Sequence, residues 1–161
     1  MLVDIFHIAH VVLAGVWLGG LVFTVAVVSP AFGAMKWSEA ERVAVRSAVG
    51  KRYARLGSVN LVLLALFAVL DGVLAGFGAT FYAEYALLFL VFALAGAHGA
   101  YFGRRLAGLA KAEREAGSQE EGSTLAGRRR SLQRVSSRVS YLNLLASTAV
   151  LILAIGAGAG W

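Results

Sequence analysis

Long apolar stretches alternate with polar ones along this chain of 161 residues. Four of the apolar stretches approach the roughly 20 residues that a helix needs to cross a bilayer core. They run from about residue 2 to 28, 56 to 77, 82 to 102 and 139 to 159. The first is predicted to end at Ser29 and Pro30, because proline lacks the N–H that continues a helix. The pattern therefore predicts an all-α chain with four membrane-spanning helices.

The connections between these spans favour a single domain over residues 1–161. Two connections are long and polar, 31–55 and 104–138, whereas the second and third spans are joined by only a few residues. Within the longer connection, Glu113 to Gly127 is rich in Gly, Ser and Glu and is expected to be a flexible loop. An integral membrane four-helix bundle of up-down-up-down topology follows.

The distribution of positive charge predicts how the bundle is oriented. All 15 Lys and Arg residues lie in the two polar connections, six in the first and nine in the second. Loops rich in Lys and Arg remain on the cytoplasmic side of a membrane. Both long connections are therefore expected in the cytoplasm and both termini outside, in the inner (plasma) membrane. Because the excess of basic residues is confined to the two polar connections, it argues against nucleic acid as a partner and for the lipid bilayer.

Composition supports the membrane assignment and removes several kinds of chemistry. The chain is 59% hydrophobic with a single proline, and its mean hydropathy is +0.74. It has no cysteine, so disulfides, thiolate metal sites and cysteine nucleophiles are excluded. The first apolar stretch has no basic region before it and is too long for the core of a signal peptide, so it is expected to stay attached.

Ionisable residues inside the apolar stretches are the candidate functional groups, because their burial in a membrane is costly. His7 and His10 are spaced i, i+3 in the first span, so they share one helix face. The second span runs in the opposite direction, which places Asp71 at about their depth. Asp4 and Glu84 are expected in the same outer polar layer. His7, His10 and Asp71 are the predicted metal ligands.

His98 is predicted to lie in a second polar layer near the cytoplasmic side, together with Asn60, Asn143 and Ser140. The helical rise puts His98 about 15 Å from His10 along the membrane normal. This distance disfavours one ion or one haem held by both histidines. His98 remains a candidate for cofactor binding beside His7 and His10, although a structural role, with a hydrogen bond to Asn60 or a backbone carbonyl, is the favoured explanation for it.

These groups are compatible with more than one chemistry. Two imidazoles and a carboxylate suit Cu(II) or Zn(II) by ligand type, and a single imidazole suits haem b as an axial ligand. Pairing of Asp71 with a histidine simply to satisfy two buried polar groups is the structural alternative. The sequence contains no catalytic constellation, and any enzymatic activity is expected to be a redox one.

Short motifs resemble those of known membrane families. His10, the run Trp17-Leu18-Gly19-Gly20 and the run Ser29-Pro30-Ala31-Phe32 resemble the opening helix of copper-resistance-protein-D-like proteins and of a related, largely uncharacterised four-helix family. The segments 51–57 (KRYARLG) and 140–145 (SYLNLL) are similar to other motifs of the latter family. Many of its members have a histidine where this chain has 136–139 (SSRV). The resemblance implies copper handling or uptake.

Two further interpretations remain open. The first helix is also similar to that of the four-helix membrane protoporphyrinogen oxidase, which implies a haem-binding redox protein or haem-pathway enzyme, but the continuation motifs of that enzyme are missing. Alternatively, the protein is a cofactor-free scaffold. In that case Gly15 and Gly19, a small-xxx-small step, would pair copies into a homo-oligomer, and the basic connections would recruit partners or anionic lipid.

Overall fold

The computed structural model describes residues 2–37 and 39–158, and nearly all of them are helical. In chain order the elements within these residues are α1 (Leu2–Phe23), π1 (Thr24–Val28), α2 (Ser29–Ala34), α3 (Glu39–Ala75), α4 (Ala79–Gly96), π2 (Ala97–Phe102), α5 (Gly103–Arg114) and α6 (Gln119–Gly158).

These elements form four long helices, because α1, π1 and α2 follow one another without a break, as do α4, π2 and α5. The result is an all-α four-helix bundle, which confirms the predicted fold class. Each contains a stretch long and apolar enough to cross a membrane, within Val3–Ala34, Ala44–Ala75, Ala79–Arg114 and Gln119–Ala157. Their 32 to 39 residues correspond to about 48–58 Å at 1.5 Å per residue, against about 30 Å for a bilayer core. The helices therefore continue well beyond the apolar stretches. The last residue of the fourth predicted span, Ala159, lies outside the described residues.

The expectation that the first helix ends at Ser29 and Pro30 was wrong. The chain stays helical to Ala34, because the five residues of π1 shift the hydrogen-bond register just before the proline. Pro30 then falls in the first turn of α2, where a backbone N–H has no partner within the helix in any case.

The expectation of a flexible loop over Glu113 to Gly127 was also wrong. Only the short turn from Glu115 to Ser118 separates α5 from α6. Ser118 Oγ accepts the backbone N–H of Glu121 at 3.2 Å, and Glu121 Oε2 accepts the N–H of Gly117 at 3.2 Å. This arrangement is close to a capping box, with Glu121 bonding the N–H of the residue before the N-cap, and it starts a helix even in a glycine-rich sequence.

The chain divides into two compact units. The first comprises Met1–Phe92 and Leu144–Trp161, and the second is the helical hairpin Ala93–Asn143. In the first unit, α3 buries one stripe at helical spacing, formed by Leu61, Leu64, Ala68 and Asp71. The opposite faces of the helices expose large apolar side chains such as Val16, Leu66, Phe89 and Leu145. That outward apolar surface is what a lipid-facing exterior requires.

The glycines that permit close helix packing are not the pair that the small-xxx-small pattern suggests. A Cβ built on Gly15 or Gly19 would meet nothing within 4 Å in the described chain. A Cβ on Gly20 would lie 3.0 Å from Tyr53 Oη, and one on Gly57 would lie 3.2 Å from the Trp17 ring. Homo-oligomerisation through Gly15 and Gly19 therefore stays a prediction about copies of the chain.

Gly72→Ala is expected to destabilise the bundle by about 1–3 kcal/mol, as overpacking of a filled core does. A Cβ at this buried position of α3 would collide with Tyr85 Oη and lie 3.0 Å from the Phe77 ring. Unfolding in detergent measures the effect. Gly19→Ala is the matched control in open space and should change stability little. An equal loss for both variants would contradict the packing at Gly72.

Candidate polar cluster in the helix bundle

Three helices bring four ionisable side chains together in the first unit. His7 and His10 come from one face of α1, Asp71 ends the buried stripe of α3, and Glu84 belongs to the buried stripe of α4. The exposed fraction of the whole residue is 0% for His10 and Glu84 and 1% for Asp71. The His7 side chain retains 22% of its exposure and forms the accessible edge of this polar cluster.

Asp71 joins the two histidines through a single carboxylate oxygen. His7 Nδ1 lies 2.8 Å from Asp71 Oδ2, and His10 Nδ1 lies 3.4 Å from the same oxygen. The first contact is short, and the second is longer than the usual range of about 2.7–3.2 Å for an N–H···O hydrogen bond. One oxygen thus contacts two imidazole nitrogens that are one helical turn apart.

Glu84 completes the polar cluster from the other side of His10. His10 Nε2 lies 2.7 Å from Glu84 Oε1, an ion-pair distance, although the contact is not aligned as a hydrogen bond. Neither oxygen of Glu84 has a hydrogen-bond partner among the described residues. His10 therefore lies between two buried carboxyl groups, one of which has no other polar support.

The structure brings together the three residues that the sequence singled out, and it adds a fourth. His7, His10 and Asp71 meet as the depth estimate predicts, while their role as ligands stays a prediction. Glu84 was expected in the same layer but not among the ligands. Its i, i+7 spacing from Val91 and i, i+4 spacing from Leu88, both buried, was the available signal for an inward position. Asp4 is exposed.

The neighbours of His98 are partly those expected, because Ser140 was predicted in its layer and Ser136 was not. Its Nδ1 lies 3.3 Å from Ser136 Oγ and 3.4 Å from Ser140 Oγ, both on α6 of the second unit. Within the first unit, the Asn60 amide donates to the Leu13 carbonyl at 3.1 Å. His98 lies in π2, an irregular helical turn of the kind often found at functional sites.

Two other polar residues of the first unit hold helices together. Trp17 Nε1 donates to Ser147 Oγ at 2.9 Å, and this contact joins α1 to α6 in a buried position. Tyr85 Oη donates to the Ala68 carbonyl at 3.0 Å, which ties α4 to α3 one turn from Asp71. Such contacts fix the depth and rotation of the helices that carry the polar cluster.

The donor atoms of the polar cluster contact one another rather than surrounding a common point. Among the described residues, no three His, Asp or Glu side chains form a ready-made metal site. The observed contacts link imidazole to carboxylate along the order His7, Asp71, His10, Glu84. Each imidazole of the polar cluster therefore has at least one carboxyl group of the cluster as a neighbour.

Comparison with known proteins places the chain in a family but gives no function. A family model described as "Domain of unknown function (DUF4149)" matches residues 12–115, well over half of the chain. The matched range contains Asp71 and Glu84 and begins just after His10. No curated protein and no solved structure matches.

Proposed function

The chain belongs to the DUF4149 family, and from its polar cluster we propose that it binds a copper ion and handles copper in the plasma membrane. The observation that carries this proposal is the shared oxygen of Asp71, 2.8 Å from His7 Nδ1 and 3.4 Å from His10 Nδ1. Imidazole nitrogen and carboxylate oxygen are ligands that Cu(II) accepts.

Two of the three separations between the proposed donor atoms are compatible with this assignment. Two ligand atoms held at about 2.0–2.1 Å from one ion, at angles between right and tetrahedral, are about 2.8–3.4 Å apart. The His7–Asp71 and His10–Asp71 separations of 2.8 and 3.4 Å fall in this range. His7, His10 and Asp71 would hold the ion, and an imidazole-bound copper supplies binding or one-electron chemistry. Glu84, whose oxygens have no hydrogen-bond partner in the described chain, is near enough to balance the added charge.

The expected orientation of the chain in the membrane indicates the direction in which copper would move. The basic connections favour the cytoplasmic side for α5 and for the start of α3, which puts the polar cluster in the outer half of the bilayer. His7, the most exposed of the four side chains, is then the entry point for an ion from outside. Uptake is the form of copper handling that fits this arrangement.

Haem b is supported less well as the cofactor. An axial histidine needs a nitrogen that is free to face the iron. His10 has a carboxyl group near each ring nitrogen and no exposed surface. The two serines contact only Nδ1 of His98, so His98 is the histidine to which a haem would be assigned through Nε2. Haem binding is therefore one possible outcome of the copper-binding experiment and not a second proposed function.

The test is metal analysis of the purified full chain after incubation with Cu(II) and removal of unbound ion. We expect about one copper per chain, with nitrogen coupling in its electron paramagnetic resonance spectrum. His7→Gln/His10→Gln should lose the copper, whereas the matched His98→Gln variant should retain it. No stoichiometric copper, or copper that survives the double substitution, would refute the proposal. A Soret band after haem addition that is lost in His98→Gln would favour haem instead.

A further inference from the structure

Charge is segregated along the helical hairpin of the second unit. Two sets of contacts define its register, His98 with Ser136 and Ser140, and Glu113 with Arg129. Between these contacts the hairpin carries only positive charge, from Arg104, Arg105, Lys111, Arg130, Arg134 and Arg138. Its four acidic residues, Glu113, Glu115, Glu120 and Glu121, all lie at the tip. The apolar end of the hairpin is therefore followed by a purely basic zone and then by a mixed tip.

A shallow, open groove along one face of π2 and α5 lies where the apolar end meets the basic zone. It is lined by Tyr101 and by Arg104, Arg105, Leu109 and two small residues. Tyr101 and both arginines are exposed. The Arg105 guanidinium lies 5.6 Å from the centroid of the Tyr101 ring, close enough for a cation–π contact. The groove thus brings together the ring of Tyr101, the guanidinium groups of Arg104 and Arg105, and the apolar side chain of Leu109.

We propose that this groove binds the headgroup of an anionic phospholipid. An arginine fork matches a phosphate group in a bidentate manner, and Tyr101 stands at the level where aromatic rings mark the edge of a bilayer. Leu109 offers apolar contact to the glycerol region, and the acidic tip is kept away from the anionic surface. The site would tie the hairpin to the leaflet that carries negatively charged lipid. It is separate from the copper proposal and does not depend on it.

The experiment is native mass spectrometry of the full chain in detergent, titrated with phosphatidylglycerol or phosphatidylcholine. Each arginine near an anionic surface contributes about fivefold in affinity, so two give a preference of about 30-fold for phosphatidylglycerol. Arg104→Gln/Arg105→Gln should lose most of this preference. The matched variant Lys111→Gln/Arg114→Gln removes the same charge outside the groove and should keep it.

A second pair of variants tests the groove without changing charge. Tyr101→Ala should weaken phosphatidylglycerol binding by about two- to fivefold, the range of a cation–π contact, while Tyr141→Ala, an exposed tyrosine elsewhere in the unit, should not. No lipid preference in the wild-type chain would overturn the proposal, as would equal losses in the two charge variants. Competition by soluble glycerol phosphate as strong as that by the lipid would identify a free-phosphate site and also overturn it.

Discussion

Asp71→Asn is expected to lower copper affinity by about 100-fold or more. Substitution of residues that merely support a metal ligand already costs 10–100-fold, and Asp71 is the proposed ligand that both histidines contact. Asparagine keeps the shape of the side chain but removes its charge and replaces one oxygen with an amide donor. Without the negative charge of Asp71, the positive charge of an ion held by two neutral imidazoles would no longer be compensated by this ligand.

Competition against a chelator of known copper affinity measures this effect on the purified full chain. Asp4→Asn is the matched control, because Asp4 is the other aspartate of the chain and is exposed on the same helix as the histidines. It should leave the affinity unchanged. Equal losses in the two variants would indicate a general effect of negative charge, and an unchanged affinity in Asp71→Asn would remove Asp71 from the site.

The sequence predicts the number of helices and their chemical faces but not where the helices end. Hydropathy marks the residues that suit lipid, and it falls at Arg55, Arg104 and Arg138. Helix formation does not stop there, because Ala, Arg, Lys and Glu in the polar connections are themselves strong helix formers. The polar connections therefore became extensions of α3, α5 and α6.

Local signals account for the two helix ends that were predicted wrongly. Ser118 and Glu121 carried a capping-box pattern that outweighed the glycines around them. Pro30 would end a regular α-helix, but the π turn before it moves the proline into a first turn that tolerates it. A π turn has no reliable sequence signature, so this second case lies beyond what periodicity reveals. Gly76, with φ of 86°, ends α3 in the ordinary way for a glycine.

The depth of the candidate site along the helices was predictable, but the rotation of each helix about its own axis was not. Counting residues along antiparallel helices placed His7, His10 and Asp71 at one level, because each residue advances a helix by a fixed rise. Which imidazole nitrogen faces Asp71, and that Glu84 faces His10, depends on how each helix is rotated about its axis. That rotation is set by packing contacts such as Trp17 with Ser147 and Tyr85 with Ala68, which join residues far apart in the chain.

Glu84→Leu is expected to destabilise the bundle by about 3–5 kcal/mol, the cost of leaving one member of a buried ion pair without its partner. His10 and Glu84 have no exposed surface, and His10 Nε2 lies 2.7 Å from Glu84 Oε1. Loss of the carboxylate leaves His10 Nε2 against an apolar side chain. His10→Leu should cost a similar amount, because the Glu84 oxygens have no hydrogen-bond partner in the described chain.

The double variant His10→Leu/Glu84→Leu should be more stable than either single variant. Buried ion pairs replaced by apolar side chains are often neutral or even stabilising, because the desolvation of both charges is avoided. His7 and Asp71 keep their 2.8 Å contact in this variant. Denaturation in mixed micelles, followed by tryptophan fluorescence to which the buried Trp17 contributes, gives the three free energies of unfolding. Glu115→Gln, in an exposed pair with Lys111, is the control and should be nearly neutral.

The outcome separates the two explanations for the polar cluster. A strictly structural role requires that the His10–Glu84 pair contribute net stability, so the double variant would then be clearly less stable than the wild-type chain. A double variant at least as stable as the wild-type chain would mean that the fold does not need these charges. The desolvation of His10 and Glu84 would then destabilise the fold unless a cation is bound. Loss of copper from that same stable variant would indicate that these two residues serve copper binding.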